Sequence, residues 1–314
     1  MRTPLSRRGA LSACAAVVAL TIAGSGSAKG SESTAITVGY GSVWIGNGNG
    51  SVAQVAESTN RVVRRVEVGG FVSSLATSFG SLWVMTDRGV VRVDPRTGKA
   101  RTASVAFASG GGRVVASGGA LWLTSGAGDR LARFDPRTMR VKDVPELPGR
   151  ITWIGESGGR LWVVYAPGSG PMRGPRGTRY LTEILKTPVR PTRWRIRLSC
   201  DAAAAVVGTG LLVADACGSL ARFTLLTHKR TATVAGIPAT ALTAHAGYVW
   251  QGGNGVDRVH PRTLKMRRMN AIKGVTAFGR SADSLWALVP ARGLLVRLDH
   301  RSGRALAEVR LSPG

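Results

Sequence analysis

A motif of about 40 residues recurs seven times along this chain and limits the folds that the chain can adopt. Each copy carries an apolar pattern like GSVWIG or GSLWVM, with tryptophan or, in the fifth copy, leucine at its central place. Repeats of this length are typical of four-stranded blades arranged around an axis. The sequence therefore predicts an all-β fold, a seven-bladed β-propeller with four antiparallel strands in each blade. The central residues are Trp44, Trp83, Trp122, Trp162, Leu212, Trp250 and Trp286.

The second repeat shows how one unit divides into strands. Residues Leu82 to Met85 are all apolar, so this strand is expected to be covered on both faces by neighbouring blades. Its tryptophan is then a structural residue that needs no ligand. The units run in order from Ile36 to Leu311, so we expect no exchange of strands between the first and last blades. The strands are expected at residues 73–79, 82–86, 89–94 and 99–107, with Gly80 and Ser81 as the turn between the first two.

The string VRVDPRTGK, which ends at Lys99, is interpreted as the hairpin corner between the third and fourth strands. Asp94 can accept backbone N–H groups, Pro95 presets the first turn angle, and Gly98 can adopt positive φ. The related strings replace single residues of this motif. A turn tolerates such replacements better than a catalytic or binding site does. These variants stand at residues 132–140, 257–265 and 296–304. A collar of positive charge is expected at the corners, from Arg96, Arg137, Arg262 and Arg301 and from the following Lys99, Arg140, Lys265 and Arg304.

In three of the third strands an arginine stands two residues before the aspartate of the corner, and Arg133 with Asp135 is one of these couples. Arg92 precedes Asp94 in this way, and Arg297 precedes Asp299. Residues i and i+2 of a strand lie on one face. The sequence therefore predicts an ion pair within each of these couples.

No constellation of residues in the sequence identifies a catalytic or metal site. The stretch GESGG at residues 155–159 has the letters of the G-x-S-x-G nucleophile motif, but Ser157 precedes a strand, whereas that motif requires a helix. The four histidines lack the spacing of metal ligands. We therefore predict no catalytic residue, no metal and no cofactor. The histidines are His228, His245, His260 and His300.

Residues 1–28 have the pattern of an export signal, with a basic start, an apolar run and a small-residue exit that ends at Ala28. Cleavage near Ala28 would leave a linker at residues 29–34 and a propeller at residues 35–314. The protein is then expected outside the cytoplasm, either secreted or in the cell envelope. No stretch of the processed chain is long and apolar enough to cross a membrane.

The route of export and the anchoring of the N-terminus follow from short motifs. SRRGAL at residues 6–11 resembles the twin-arginine motif, but Ala10 stands where phenylalanine is usual, so both the general and the twin-arginine routes stay open. The segment around Cys14 resembles a lipidation site. Lipidation is disfavoured because Cys14 follows Arg8 too closely to leave an apolar segment between them.

Removal of the signal leaves two cysteines, Cys200 and Cys217. An even number of cysteines in an exported protein favours a disulfide. If the inner hairpin of the fifth blade turns at Gly208 and Thr209, the two cysteines stand symmetrically about it and come side by side. A reactive thiol pair is the alternative.

The charge of the chain is strongly positive. The formal net charge is +26, with 17 acidic residues, and loss of Arg2, Arg7 and Arg8 with the signal leaves about +23. The fourth repeat contains a basic insertion at residues 166–195. Its arginines are the residues that we expect to contact an anionic partner, namely Arg173, Arg176, Arg179, Arg190 and Arg193.

The repeat at residues 75–100, LATSFGSLWVMTDRGVVRVDPRTGKA, resembles that of bacterial exported propellers of the YVTN type, and it is similar to that of the streptogramin (virginiamycin B) lyase family. The resemblance covers residues 35–311 and implies the propeller fold. The lyase family uses a catalytic histidine and an acidic magnesium site, and neither matches a residue of this chain. The quinone-dependent dehydrogenases with a D-x-x-T-G turn have eight blades, so their cofactor is not expected.

We therefore expect an exported, non-enzymatic propeller that serves as a binding or scaffold module. Its partner is expected to be an anionic polymer of the cell envelope or an acidic protein face. The alternative is an enzyme, a lyase or hydrolase with its active site at the axial mouth. A physiological nucleic-acid partner is not expected in an exported protein, although a basic surface binds nucleic acid readily. The sequence leaves the oligomeric state open.

Overall fold

The computed structural model shows seven antiparallel sheets arranged in a ring, which confirms the predicted β-propeller. It describes residues 33–103, 105, 110–145, 147–168, 178–235 and 241–311. The predicted export signal, its cleavage site and Cys14 lie outside these residues. Within the described ranges, no helix has the length and apolar character needed to cross a membrane.

Each blade is a meander of four strands, except that the fourth blade has five. The first three blades contain β1 (Ser33–Gly39), β2 (Ser42–Asn47), β3 (Ser51–Ala56), β4 (Arg61–Glu67), β5 (Val72–Ser78), β6 (Ser81–Thr86), β7 (Gly89–Val93), β8 (Ala100–Ala103), β9 (Val114–Ser117), β10 (Ala120–Thr124), β11 (Leu131–Asp135) and β12 (Arg140–Asp143). The fourth and fifth blades contain β13 (Gly149–Ser157), β14 (Arg160–Pro167), β15 (Arg179–Lys186), β16 (Val189–Pro191), β17 (Ile196–Leu198), β18 (Ala202–Val207), β19 (Gly210–Asp215), β20 (Ser219–Thr224) and β21 (Arg230–Ala235). The last two contain β22 (Ala241–His245), β23 (Tyr248–Gly252), β24 (Val256–Val259), β25 (Met266–Asn270), β26 (Ala277–Arg280), β27 (Ser284–Val289), β28 (Leu294–Asp299) and β29 (Ala305–Arg310).

The ring closes through its inner strands. Each inner strand contacts the inner strand of the next blade, and β26 of the seventh blade contacts β1 of the first. The first sheet consists of β1 to β4 and the seventh of β26 to β29, so no strand is exchanged between them. This confirms the predicted order of the units. In the fourth blade, β16 and β17 both pair with β15, so the outermost strand is divided in two.

The meander gives the ring two different faces. In each blade the first and third strands run in one direction and the second and fourth strands in the other. The turns between the first and second strands, and between the third and fourth, therefore lie on one face, which we call the corner face. The connections from second to third strand and from blade to blade lie on the opposite face, which we call the cavity face.

The tryptophans form the centre of the packing between blades. All six in the second strands are fully buried, as is the leucine of the fifth blade. Each indole N–H donates to the residue five positions earlier, just before the turn; for Trp83 the acceptor is the carbonyl of Ser78 at 3.1 Å. In the seventh blade Trp286 instead donates to the hydroxyl of Ser281, at 3.4 Å. The interpretation of the tryptophans as structural residues is confirmed.

The turn between the first and second strands differs from the sequence prediction by one residue. In the second blade the turn consists of Phe79 and Gly80, and Ser81 already belongs to β6. Phe79 and Gly80 have φ of 52° and 69°. Positive φ at both places defines the type I′ turn that suits the twist of a two-residue hairpin. Placing the turn at Gly80 and Ser81 was wrong because an aromatic residue takes the left-handed conformation here.

The corner string is a turn, as predicted. The Asp94 carboxylate accepts the N–H groups of Arg96 and Thr97, each at 2.8 Å, and the chain leaves the turn at Gly98 with φ 76°. In the sixth blade the Nδ1 atom of His260 accepts the two equivalent N–H groups, at 3.3 and 3.2 Å. Two different side chains thus fill the same structural role, which explains why the string varies.

Two of the predicted ion pairs of the third strands, Arg92 with Asp94 and Arg297 with Asp299, are wrong. Arg92 donates through Nε to the hydroxyl of Ser81 at 2.8 Å, and its guanidinium lies 5.6 Å from the ring centre of Trp83. Asp94 faces its own turn. Arg297 of the seventh blade likewise donates to a serine of the neighbouring strand, at 2.8 Å. Each arginine covers the tryptophan beside it, and the backbone N–H groups of the turn compete successfully for the carboxylate.

The predicted disulfide between Cys200 and Cys217 is confirmed. The two residues flank the hairpin of β18 and β19, whose turn is Gly208 and Thr209. Their Cα atoms are 5.9 Å apart, and the bridge closes a loop of 17 residues. It ties the connection that enters the fifth blade to the loop between its second and third strands.

Candidate functional site

A cavity lies at the axial mouth on the cavity face. It has a volume of about 480 Å³ and spans the second to fifth blades. Its walls come from the beginnings of inner strands and from the loop that follows β10. The polar and aromatic side chains that line it are Phe71, Ser73, Arg113, Thr124, Ser125, Arg150, Thr152, Trp153, Arg179 and Asp201.

Two of these side chains depart from the repeat at the same structural place. In each inner strand one residue pairs with the central residue of the second strand, for example Val115 with Trp122 and Gly155 with Trp162. Two positions earlier, the third blade has Arg113 and the fourth has Trp153. The other five blades carry a small residue there, namely Ala35, Ser74, Ala203, Ala241 and Ala277. A charged and a large aromatic side chain in adjacent blades thus distinguish this sector of the mouth.

A β-bulge helps to aim the fourth-blade residues. The register of β13 against β14 shifts between Ile151 and Trp153, which leaves Thr152 as the extra residue. Bulges re-aim side chains at the rims of sheets. Ile151 consequently packs in the core with the third blade, whereas Trp153 packs with the fifth blade.

The charged groups of the cavity are three arginines and one aspartate. Arg179 donates through Nε to Asp201 at 2.8 Å. Burial lowers the pKa of Arg113, and the charge of Asp201 partly offsets that effect. Arg150 donates through Nε to the carbonyl of Ala127 at 3.0 Å and lies exposed at the rim. One carboxylate cannot neutralise three guanidinium groups, so the cavity attracts anions.

The uncharged lining supplies both an apolar wall and hydrogen-bonding groups. Phe71 is 47 % exposed beside the cavity, although it is a large apolar residue. Ser73, Thr124 and Ser125 also line the cavity. Their hydroxyls bond within the protein, to the carbonyl of Gly112, the N–H of Arg113 and the carboxylate of Asp129 respectively. Trp153 is almost completely buried, and its indole N–H has no acceptor in the part of the chain that the structure describes. Buried indole N–H groups normally have a partner.

The structure places the five predicted contact arginines in different regions. Arg179 lines the cavity. Arg190 and Arg193 are exposed at the outer edge of the fourth blade, in and just after β16. Arg173 and Arg176 lie outside the described residues. The cavity residues Arg113, Arg150 and Asp201 were missed by the sequence reasoning. Comparing equivalent positions of the seven repeats would have singled out Arg113.

A second group of charges lies nearer the corner face. Glu156 of the fourth blade and Arg280 of the seventh line a cavity of about 20 Å³, and Trp153 lies between this cavity and the larger one. Burial raises the pKa of Glu156, and the N–H of Gly159 and the charge of Arg280 oppose that effect. Burial also lowers the pKa of Arg280. The Arg280 guanidinium donates to the carbonyl of Ala244 at 2.6 Å.

His245, at the end of β22, should make stability depend on pH. Burial, with the charges of His300 and Arg280 nearby, lowers the pKa of His245 to about 4. A histidine has a pKa near 6.5 in the unfolded chain, so between these values the unfolded state binds more protons. The stabilisation is therefore complete above pH 6.5 and is lost as the pH falls to about 4. We expect the free energy of unfolding to drop by about 2 kcal/mol over this range, less than the full shift implies because the ring is partly exposed.

The measurement is urea unfolding at pH 7 and at pH 4.5 for the native chain and for His245→Gln. The glutamine variant should lose less stability on acidification, because it has no imidazole to protonate. The same loss in both proteins would contradict the assignment to His245.

Ser157 and the histidines occupy structural positions that are spread over four blades. The Ser157 hydroxyl accepts the N–H of Val206 in the next blade at 2.7 Å. His228 stacks on Trp194 with ring centres 3.9 Å apart. Over the residues that the structure describes, no three His, Cys, Asp or Glu side chains are grouped as metal ligands.

Comparison with known proteins identifies the fold. No protein-family model matches the sequence. No curated protein sequence matches it. Among solved structures, BamB from Moraxella catarrhalis is 15 % identical with a TM-score of 0.56, over 88 % of this chain and 87 % of that chain. The computationally designed protein Ika8 is 15 % identical with a TM-score of 0.62, over 93 % and 90 %.

A third similar structure is PorZ of Porphyromonas gingivalis, which is 14 % identical with a TM-score of 0.66. The match covers 90 % of this chain but only 38 % of PorZ, so this chain corresponds to one part of that longer protein. At these identities the likeness is one of fold. The chain is a β-propeller, and its site has to be interpreted from its own residues.

Proposed function

We propose that this protein is an exported, non-enzymatic binding module, whose cavity face binds the anionic sugar end of a cell-envelope polymer. The observation that carries the proposal is the cavity at the axial mouth, where three arginines and one aspartate surround a space of about 480 Å³. Cavities of this volume are typical of sites for one small ligand. A short, charged segment of a polymer is a ligand of this size.

The chemistry of the lining favours an acidic sugar. Arg150 and Arg179 offer planar, charged donors that suit carboxylate or sulfate groups. The Ser73 hydroxyl, which already donates to the carbonyl of Gly112 at 2.6 Å, can still accept a hydrogen bond from a sugar hydroxyl. Phe71 supplies an exposed apolar surface on which the flat side of a sugar ring can pack. A purely inorganic anion would make no use of this surface.

The location outside the cytoplasm is part of the same proposal. It rests on the export pattern of residues 1–28. PorZ, which has a similar fold, is described as an essential bacterial surface component of the type-IX secretion system. The repeat pattern also supports a relationship to the exported propellers of the YVTN type. Arg190 and Arg193, exposed on the fourth blade, would extend the positive surface away from the cavity.

The test is a titration of the chain, purified after export, with a sulfated disaccharide and with the same sugar without sulfate. The sulfated sugar should bind, more weakly at high salt, and the neutral sugar should not. The double variant Arg150→Gln, Arg179→Gln should bind the sulfated sugar at least about tenfold more weakly, because charge-assisted hydrogen bonds are lost.

Asp201→Asn is the control for the double arginine variant, and we expect it to raise the affinity for the sulfated sugar. It keeps an oxygen that can accept the hydrogen bond from Arg179 but removes the negative charge, so the sulfated sugar should bind several-fold more tightly. Binding that is unchanged in both variants, or equal for the charged and neutral sugars, would overturn the proposal.

A further inference from the structure

We propose that the corner face, on the opposite side of the ring from the cavity, docks onto a lipid bilayer that contains anionic lipids. The proposal rests on the charge, the exposed apolar tips and the backbone conformation of this face. It is independent of the sugar site, since none of its residues lines the cavity. Every turn of this face lies within the described residues.

The corners give this face many exposed positive charges. Eleven exposed cationic side chains stand in or directly after the turns between third and fourth strands, whereas the acidic side chains of the turns on this face number five. The cationic residues are Arg61, Arg96, Lys99, Arg137, Arg140, Lys229, Arg230, Arg262, Lys265, Arg301 and Arg304. The acidic ones are Glu57, Asp94, Asp135, Asp283 and Asp299.

Three of these acidic groups are directed into their own turns. The carboxylates of Asp94, Asp135 and Asp299 each accept two backbone N–H groups. Those bonds lower the pKa of Asp94. Hydrogen bonds from the side chains of Lys142 and Ser302, together with the backbone N–H groups, lower the pKa values of Asp135 and Asp299 respectively. The arginines in the middle of four corners, Arg96, Arg137, Arg262 and Arg301, are exposed.

The same face exposes large apolar side chains at the tips of three turns. Leu226, in the corner of the fifth blade, is 91 % exposed, and Tyr40 and Phe79 are 42 % and 41 % exposed in the turns of the first and second blades. A soluble polyanion would gain little from these groups. A bilayer binds both the basic and the apolar side chains. Basic residues contact the anionic headgroups, and aromatic and aliphatic side chains insert into the interfacial region.

The backbone at Tyr40 and Phe79 supports a role for their side chains. Both have positive φ, 58° and 52°, at the first place of a type I′ turn. That conformation favours glycine or asparagine and is costly for an aromatic residue. The third and fourth blades have Gly118 and Gly158 at this place. Strain retained at an exposed position points to a use of the side chain.

The charge test compares two variants with the same change in net charge. The corner variant carries Arg96→Glu, Arg137→Glu, Arg262→Glu and Arg301→Glu. The control carries Arg88→Glu, Arg130→Glu, Arg292→Glu and Arg310→Glu, all exposed in or beside loops of the cavity face. Flotation of the exported chain with phosphatidylcholine vesicles containing about 30 % phosphatidylglycerol measures binding.

The native chain should float with the anionic vesicles and stay free with pure phosphatidylcholine. The corner variant should bind at least about tenfold more weakly, whereas the control variant should keep most of the binding. An equal loss in both variants would show that only net charge matters and would overturn the proposal. Binding of soluble polyphosphate without binding of vesicles would also overturn it.

The apolar tips are tested by Tyr40→Asn, Phe79→Asn. Each substitution creates an Asn-Gly pair, the preferred sequence for this turn, so the melting temperature should stay the same or rise. Vesicle binding should nevertheless fall several-fold, and more of the remaining binding should be lost at high salt. Unchanged binding with an unchanged melting temperature would remove the apolar tips from the docking surface.

Discussion

Replacing Trp83 with alanine should lower the free energy of unfolding by about 3–5 kcal/mol. The side chain is fully buried between blades and packs edge-on against Phe134 of the next blade, with ring centres 5.9 Å apart. The substitution removes this contact and leaves a cavity that rigid β-sheets cannot close. It also leaves the carbonyl of Ser78 without its indole donor. Urea unfolding followed by circular dichroism measures the change.

Trp83→Phe is the control for this prediction. Phenylalanine keeps an aromatic ring in the same space but cannot donate a hydrogen bond, so its cost should be clearly smaller, about 1–2 kcal/mol. A loss below about 1 kcal/mol for the alanine variant would contradict the central place of the tryptophans in the packing.

Removing the bridge with Cys200→Ser, Cys217→Ser should lower the free energy of unfolding by about 3 kcal/mol. The reason is the loop of 17 residues that the bridge closes, which restricts the unfolded chain. A reducing agent should destabilise the native chain by a similar amount and should leave the double variant unaffected. Thiol titration of the denatured, unreduced protein is the direct check. Detection of both cysteines as free thiols would exclude the bridge.

The fold was predictable because every repeat unit has nearly the same pattern of apolar and turn-forming residues. The apolar second strand and the buried tryptophan recur in almost every unit, so seven copies specify seven similar blades. The error at Phe79 arose where one residue overrides its usual conformational preference. The ion-pair error at Arg92 arose because sequence spacing says which groups share a face, but not which backbone groups compete for them.

The candidate site was much harder to predict, since it consists of departures from the repeat. Arg113, Arg150 and Asp201 come from three blades and converge only in the closed ring. Arg179 was predicted as a contact residue because it lies in a basic segment. The structure shows that it forms an ion pair with Asp201 at 2.8 Å. The corner arginines were visible in the sequence, but Leu226 and Tyr40 became meaningful only when the turns were placed on one face.

We propose a separate task for each of the two faces, binding of an acidic sugar on one side and docking to a membrane on the other. The direct test is to measure both ligands, the sulfated disaccharide and the anionic vesicles, against both the cavity variant Arg150→Gln, Arg179→Gln and the four-residue corner variant. We expect the cavity variant to lose the sugar and keep the vesicles, and the corner variant to do the reverse. Parallel losses of both ligands in both variants would contradict the account.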